Sequence, residues 1–159
     1  MKRLYAALFI ILGIIGFWVP PTHAAGVNDF RITSYLVDMK LSRNSENRSV
    51  LETKETITAE FPDYDQNHGL ERAFVTEYDG HPTKLSIVSV TDASGETLNY
   101  SMTNGVMRIG DANRYVHGLQ TYVIRYEQQD VTRFYADTSR DEFYWDVIGT
   151  DWQVPIDSA

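Results

Sequence analysis

Apolar and polar side chains alternate along residues 51–61, which read LETKETITAEF. One face of this stretch carries the following side chains: Leu51, Thr53, Glu55, Ile57, Ala59 and Phe61. The opposite face is entirely polar. Because successive side chains of a β-strand point to opposite faces, this pattern predicts a strand with one side in the core and the other in water.

The residues before this strand predict a second strand with an irregularity. The apolar residues of 30–41 change parity between Ile32 and Tyr35. A one-residue bulge near Thr33-Ser34 is the simplest cause of such a change, because one extra residue moves every later side chain to the other face.

Further short strands are predicted along the rest of the chain. Their ranges are 70–76, 85–91, 96–102, 106–109, 119–128, 143–148 and 153–156. A turn at 92–95 and the strong hairpin signal Asn104-Gly105 separate some of them. No stretch after Ala25 has a long apolar stripe at helical spacing. We therefore predict an all-β domain, folded as an antiparallel β-sandwich.

Residues 1–24 are typical of an export signal. A basic start, Lys2-Arg3, precedes the 16-residue run 4–19, which is apolar apart from one tyrosine and two glycines. Two prolines then end the run, and small residues stand at positions −3 and −1 of a cleavage site after Ala24. We predict removal of this signal peptide and a single mature domain of residues 25–159. An uncleaved anchor is the alternative, although a spanning helix usually needs about 20 apolar residues.

The mature chain is strongly acidic and has no thiol chemistry. Residues 25–159 contain 12 Lys and Arg against 22 Asp and Glu, a formal charge of 12 − 22 = −10. This balance argues against nucleic acid as a partner, because such a surface needs clustered positive charge. The chain has no cysteine, so disulfides, thiol nucleophiles and thiolate metal sites are excluded.

Two patterns bear on metal binding. Residues 63–69, DYDQNHG, place oxygen ligands at positions 1, 3 and 5 of a calcium-like loop. However, the glycine comes one residue late and Phe74 stands where the helix-flanked motif needs a bidentate glutamate, so an ordinary solvated loop is favoured over a calcium site of another kind. The histidines His68, His81 and His117 lack metal-site spacing, and we expect no metal, cofactor or catalytic residue.

The last third of the chain mixes acids with aromatics. The acids are Asp137, Asp141, Glu142, Asp146 and Asp151, and the aromatics are Tyr135, Phe143, Tyr144, Trp145 and Trp152. Such a mixture could form a carbohydrate-binding or glycosidase cleft, with aromatic rings stacking on sugars and two carboxylates sharing the acid and base roles. The favoured interpretation is structural, with aromatics filling the core and acids keeping strand edges soluble.

Glu55 interrupts the apolar face of the 51–61 strand. A lone buried carboxylate is costly, so it should find a cation or a loop edge. Arg72 has the parity of its apolar neighbours in the next predicted strand. We predict a structural ion pair between Glu55 and Arg72.

These segments together resemble one family of proteins. The residues that carry the resemblance are 35–38 (YLVD), 53–57 (TKETI) with Phe61, 68–72 (HGLER), 122–126 (YVIRY), 141–149 (DEFYWDVIG) and 152–156 (WQVPI). In these segments the chain is similar to the extracytoplasmic N-terminal domain of predicted membrane proteins classed as domain of unknown function 2207.

The resemblance implies an exported all-β domain whose protein has transmembrane segments further along. It implies no activity, cofactor or catalytic residue. The sequence stops at Ala159, so we expect a piece of a longer protein, with a domain incomplete at its C-terminus. A shortened secreted form is the alternative. Our expectation is a non-enzymatic domain on the outer face of the cell membrane that contacts a protein or cell-envelope partner. The alternative is carbohydrate binding or hydrolysis in the envelope.

Overall fold

The computed structural model describes residues 26–159, which form an all-β domain. The predicted signal peptide, residues 1–24, lies outside the described residues. The strands are β1 (Arg31–Arg43), β2 (Ser49–Phe61), β3 (Gly69–Ala73), β4 (Glu77–Tyr78), β5 (His81–Pro82), β6 (Ser86–Asp92), β7 (Tyr100–Thr103), β8 (Val106–Gly110), β9 (Gly118–Gln129), β10 (Arg133–Tyr135) and β11 (Arg140–Glu142).

The strands pair antiparallel within four sheets. The largest sheet has four strands in the order β1-β2-β9-β6, and a second has three in the order β3-β8-β7. Two short hairpins, β4-β5 and β10-β11, form the remaining sheets. The all-β prediction and the antiparallel pairing are therefore confirmed.

Strand β2 follows the alternation predicted for residues 51–61. Every second residue from Leu51 to Phe61 is buried, whereas the residues that alternate with them are partly or fully exposed. The register of β1 against β2 shifts between Ile32 and Ser34, so the predicted bulge is also confirmed.

The hairpin signal at Asn104-Gly105 is confirmed as the turn between β7 and β8. Both residues have positive φ, 50° and 79° respectively. A two-residue turn of this kind requires the left-handed region, which asparagine tolerates and glycine adopts without steric cost.

The predicted strands near the C-terminus are wrong or reduced. Residues 143–148 form no strand, because the ring of Trp145 packs at 5.5 Å from the ring of Tyr78 and Asp146 turns the chain by accepting the amide proton of Gly149 at 3.0 Å. Of the predicted strand 153–156, the structure retains one parallel bridge between Ile32 and Ile156. The hairpins β4-β5 and β10-β11 were not predicted, since their strands are too short to show alternation.

A single hydrophobic core joins the two larger sheets. Ile57, Val90 and Ile124 enter it from the four-stranded sheet, and Leu70 and Met107 enter it from the three-stranded sheet. Because both sheets contribute to one cluster, the surfaces beside that cluster bring together residues that are distant in sequence.

Candidate functional site

The most unusual buried group is the carboxylate of Glu55, at the centre of β2. Its side chain has no exposed surface. Arg72 of β3 donates from Nε to Oε2 and from Nη2 to Oε1, both at 2.8 Å. The predicted pair is confirmed, and because β2 and β3 belong to different sheets, it connects the two sheets across the core.

Further hydrogen bonds and aromatic rings surround this ion pair. The Tyr126 hydroxyl donates to Glu55 Oε1 at 2.7 Å, and Arg72 Nη1 donates to the carbonyl of Ala73. The Arg72 guanidinium lies 5.2 Å from the centre of the Phe74 ring and 5.9 Å from that of Trp152. Desolvation is therefore offset by charge-assisted hydrogen bonds and by aromatic faces.

The pKa values of Arg72 and Tyr126 are shifted in the directions expected beside a buried carboxylate. Burial opposes the charge of Arg72, but the hydrogen bonds and charge of Glu55 hold the pKa of Arg72 above its ordinary value. Burial, with the charge of Glu55, raises the pKa of Tyr126. A carboxylate with three donors and no exposed surface has no free position for a substrate, so this cluster is structural.

The acidic and aromatic residues of the last third of the chain lie in two separate environments. Asp141 binds Arg43 at 2.8 Å, and Glu142 accepts the hydroxyl proton of Tyr135 at 3.1 Å. Trp152, in contrast, packs edge-on against Tyr35 at 5.7 Å, in the core. Asp137 lies in the turn between β10 and β11. Asp146 and Asp151 do line one small pocket together with Trp145, but the other three acids do not, so the structure does not gather the five predicted acids around one cleft.

Part of this third is an exposed aromatic surface. It consists of Phe134, Tyr135, Phe143 and Tyr144, which are 55%, 38%, 36% and 72% exposed. We call these four residues the aromatic surface. These residues lie on the hairpin β10-β11 and directly after it, and aromatic side chains are enriched at protein interfaces relative to the rest of the surface.

A cleft of about 930 Å³ is lined by none of these four residues. Its lining includes Asn67, His68, Tyr100, Arg108, Asp151 and Trp152. Amide, aromatic and charged groups therefore converge there. Sequence reasoning missed this cleft, because its walls come from separated segments and no local motif marks them. Only Asp151 and Trp152 had been singled out as candidate cleft residues.

Side chains of the loop 63–69 bond to other segments of the domain. Asp65 pairs with His117 at 3.1 Å, and the Asn67 amide donates to the Val27 carbonyl at 2.8 Å. His68 stacks on Tyr115. Among the residues that the structure describes, no three His, Cys, Asp or Glu side chains lie close enough to hold a metal ion. The calcium hypothesis therefore gains no support.

Comparison with known proteins identifies a family but no characterised relative. A family model described as the N-terminal domain of a predicted membrane protein, DUF2207, matches residues 31–159. No curated protein and no solved structure matches the chain. Within residues 26–159, no helix is long and apolar enough to span a bilayer.

Proposed function

Because the chain belongs to the family of predicted membrane proteins described as DUF2207, as its N-terminal domain, we propose that it is a non-enzymatic binding domain on the outer face of the cell membrane. In this proposal residues 1–24 direct export and are removed, segments beyond residue 159 hold the protein in the membrane, and residues 25–159 contact a protein or cell-envelope partner. The basic start, apolar run and small residues before Ala25 support export.

The proposed binding role rests on the aromatic surface. Tyr144 is 72% exposed and Phe134 is 55% exposed, although a folded domain gains free energy by burying such rings. Arg43 lies 5.2 Å from the Phe134 ring and pairs with Asp141 nearby, so charged groups border the rings. An apolar centre with a charged rim is the usual composition of a protein-binding site.

A photo-crosslinking experiment tests this role. A photoreactive phenylalanine analogue replaces Tyr144 in the full-length protein in its own cells, and a second variant carries it at Leu119, which is 65% exposed on β9. We expect discrete crosslinked products from position 144 and none from position 119. Equal crosslinking from the two positions, or none from either, would show that the aromatic surface is not a binding site.

The geometry of the large cleft favours one second function, carbohydrate binding. Tyr100 is 44% exposed at its wall, and Trp152, Asn67 and Asp151 also line it. Aromatic rings beside amide and carboxylate oxygens match the alternating apolar faces and hydroxyls of a sugar. Trp152 and Asp151 come from the acidic and aromatic third, so this function would use part of it.

A thermal-shift assay separates the two functions. Soluble cell-wall oligosaccharides should raise the unfolding midpoint if they bind the native state, because binding to the folded form alone stabilises it. Tyr100→Ala should abolish that shift, whereas Tyr64→Ala, at an exposed tyrosine outside the cleft lining, should not. No shift in the unsubstituted protein would exclude the carbohydrate function and leave the binding role of the aromatic surface unaffected.

We further infer that the two larger sheets form the predicted β-sandwich. The shared core supports this, since Ile57 and Ile124 of one sheet and Leu70 and Met107 of the other belong to one buried cluster. The Glu55–Arg72 pair between the sheets supports it as well. Amide hydrogen exchange should then protect β2 and β8 equally, because they would open together.

A further inference from the structure

The large cleft carries more negative than positive charge. Its lining includes three carboxylates, those of Glu71, Asp111 and Asp151. Among residues 26–159, Arg108 is the only arginine in that lining, and no lysine belongs to it. With His68 counted as neutral, one guanidinium against three carboxylates gives a formal charge of 1 − 3 = −2. The cleft therefore attracts a cationic ligand more strongly than an anionic one.

The guanidinium of Arg108 is already paired. Its Nε donates to Glu71 Oε1 at 2.7 Å, and the two residues lie opposite each other on β8 and β3. Asp111 Oδ1 accepts the amide proton of Asn113 at 2.9 Å. In the part of the chain that the structure describes, no cation pairs with Asp111 or Asp151. Two carboxylates of the cleft thus have no counter-charge among these residues.

The amide groups of the cleft include an acceptor without a donor. The side chain of Asn67 is held in place, since Nδ2 donates to the Val27 carbonyl at 2.8 Å and Oδ1 accepts from Gln66 at 2.9 Å. Gln66 Oε1 is buried and has no hydrogen-bond partner within the described residues. Both amides belong to the lining of the cleft. The cleft therefore suits a ligand that brings N–H or O–H donors.

An exposed aromatic ring accompanies these acceptors. Tyr100 pairs with Ile109 in the register of β7 and β8, and Ile109 pairs with Leu70 of β3. Ile109 and Leu70 are each 2% exposed, whereas Tyr100 is 44% exposed at the cleft wall. The face of such a ring stacks on the apolar face of a sugar and attracts a cation through its quadrupole. An amino sugar combines an apolar face, hydroxyl donors and a positive charge.

We propose that the cleft binds oligosaccharides with free amino groups, in preference to N-acetylated or anionic ones. This inference rests on the carbohydrate function proposed above for the same cleft. The ammonium groups of the ligand are attracted by Asp111 and Asp151, and a sugar ring stacks on Tyr100. N-acetylation removes the charge of each amine and with it this attraction. An anionic sugar is repelled by the same two carboxylates.

Calorimetric titration with two matched ligands tests the preference. The tetramers of glucosamine and of N-acetylglucosamine have the same length and linkage, and they differ in the charge of the amine. At about pH 6, where the amines are protonated, the full-length protein should bind the glucosamine tetramer about tenfold more tightly. An exposed ion pair contributes up to about fivefold, and two carboxylates are available. Raising the salt concentration should narrow the difference, because salt screens exposed charges.

Variants that remove the charge give an independent readout. Asp111→Asn and Asp151→Asn keep the shape of the side chain. Each should weaken binding of the glucosamine tetramer about threefold to fivefold and leave that of the N-acetylglucosamine tetramer unchanged. The double variant should bind the two tetramers equally. Asp137→Asn, in the turn between β10 and β11 and outside the cleft lining, should change neither affinity.

The pattern of failure distinguishes the preference from the function on which it rests. Binding of neither tetramer would overturn the carbohydrate function of the cleft and this inference with it. Equal binding of both tetramers by the original protein would leave the carbohydrate function standing and overturn the preference for amino sugars. A preference that survives in the double variant would also overturn the inference, because the two carboxylates would then not be its source.

Discussion

Removal of either partner of the Glu55–Arg72 pair should severely destabilise the fold. Glu55→Gln leaves a guanidinium enclosed by aromatic rings without a counter-charge. Arg72→Met leaves a carboxylate with no exposed surface, and only the Tyr126 hydroxyl remains as a donor to it. Breaking a buried pair by removing one member costs about 3–5 kcal/mol, since the remaining charge keeps its desolvation cost.

The double change should cost much less than the sum of the single changes. With Gln at 55 and Met at 72, neither charge remains, and the apolar side chain suits the pocket between Phe74 and Trp152. We expect the double variant to be at least about 2 kcal/mol more stable than additivity requires, because the two residues touch.

Urea unfolding monitored by tryptophan fluorescence measures these free energies. Urea carries no charge, so it does not screen the pair under study. If a single variant is largely unfolded in buffer, sucrose restores a measurable folded fraction by disfavouring exposed surface. The exposed pair formed by Arg108 and Glu71, 2.7 Å apart, provides the matched control. Arg108→Met and Glu71→Gln should leave the free energy of unfolding almost unchanged.

One comparison is decisive for the role assigned to this pair. Single changes at Glu55 and Arg72 that are as mild as those of the exposed control pair would refute it, because a buried charge without a partner cannot be inexpensive. Strict additivity in the double variant would also refute it, since the two side chains would then act independently.

Four further predictions concern buried tyrosines, alkaline pH, a glycine and the export signal. Tyr126→Phe should cost about 1.5–3 kcal/mol in urea unfolding, because the carboxylate loses a donor, whereas Tyr122→Phe should cost nothing, since its buried hydroxyl has no partner among the described residues. Burial raises the pKa of both tyrosines. The unfolded chain therefore loses the two tyrosine hydroxyl protons at a lower pH than the folded chain does. The free energy of unfolding should be intact below pH about 10 and fall as the pH rises above it. A series of urea titrations at alkaline pH would measure this fall. Gly69→Ala should prevent β3 from pairing with β8, because a Cβ would lie 1.8 Å from the carbonyl oxygen of Ile109, and a thermal midpoint equal to that of Gly26→Ala would contradict this. N-terminal sequencing of exported protein should begin at Ala25, whereas a start at Met1 in membrane-bound material would indicate an anchor.

Several parts of the fold could be predicted because they depend on neighbouring residues. The alternation in 51–61 predicts β2, and the change of parity after Ile32 predicts the bulge in β1. The turn at Asn104-Gly105 needs only residues that adopt positive φ. Local steric rules decide each of these features, so a single strand's pattern is sufficient.

The segment 143–148 could not be predicted in this way. Its aromatic residues favour a strand, but Trp145 packs against Tyr78, 67 residues earlier, and Asp146 bonds within its own turn. A contact with a distant strand outweighed the local preference, as is usual for β-propensity. The large cleft was missed for the same reason, since its lining comes from segments that only the folded chain brings together.

The sequence by itself determined the class of the fold and the need of Glu55 for a cation or a loop edge, and it predicted the export signal. A carboxylate on an apolar face needs a partner wherever the strand lies, because the desolvation cost belongs to the residue. Only the tertiary structure decided that Arg72 reaches it from another sheet and that Tyr126 supplies the third hydrogen bond. It also decided that residues 155–158 return to pair with β1 between Ile32 and Tyr35. These outcomes depend on how sheets pack and where the chain returns, which no local pattern encodes.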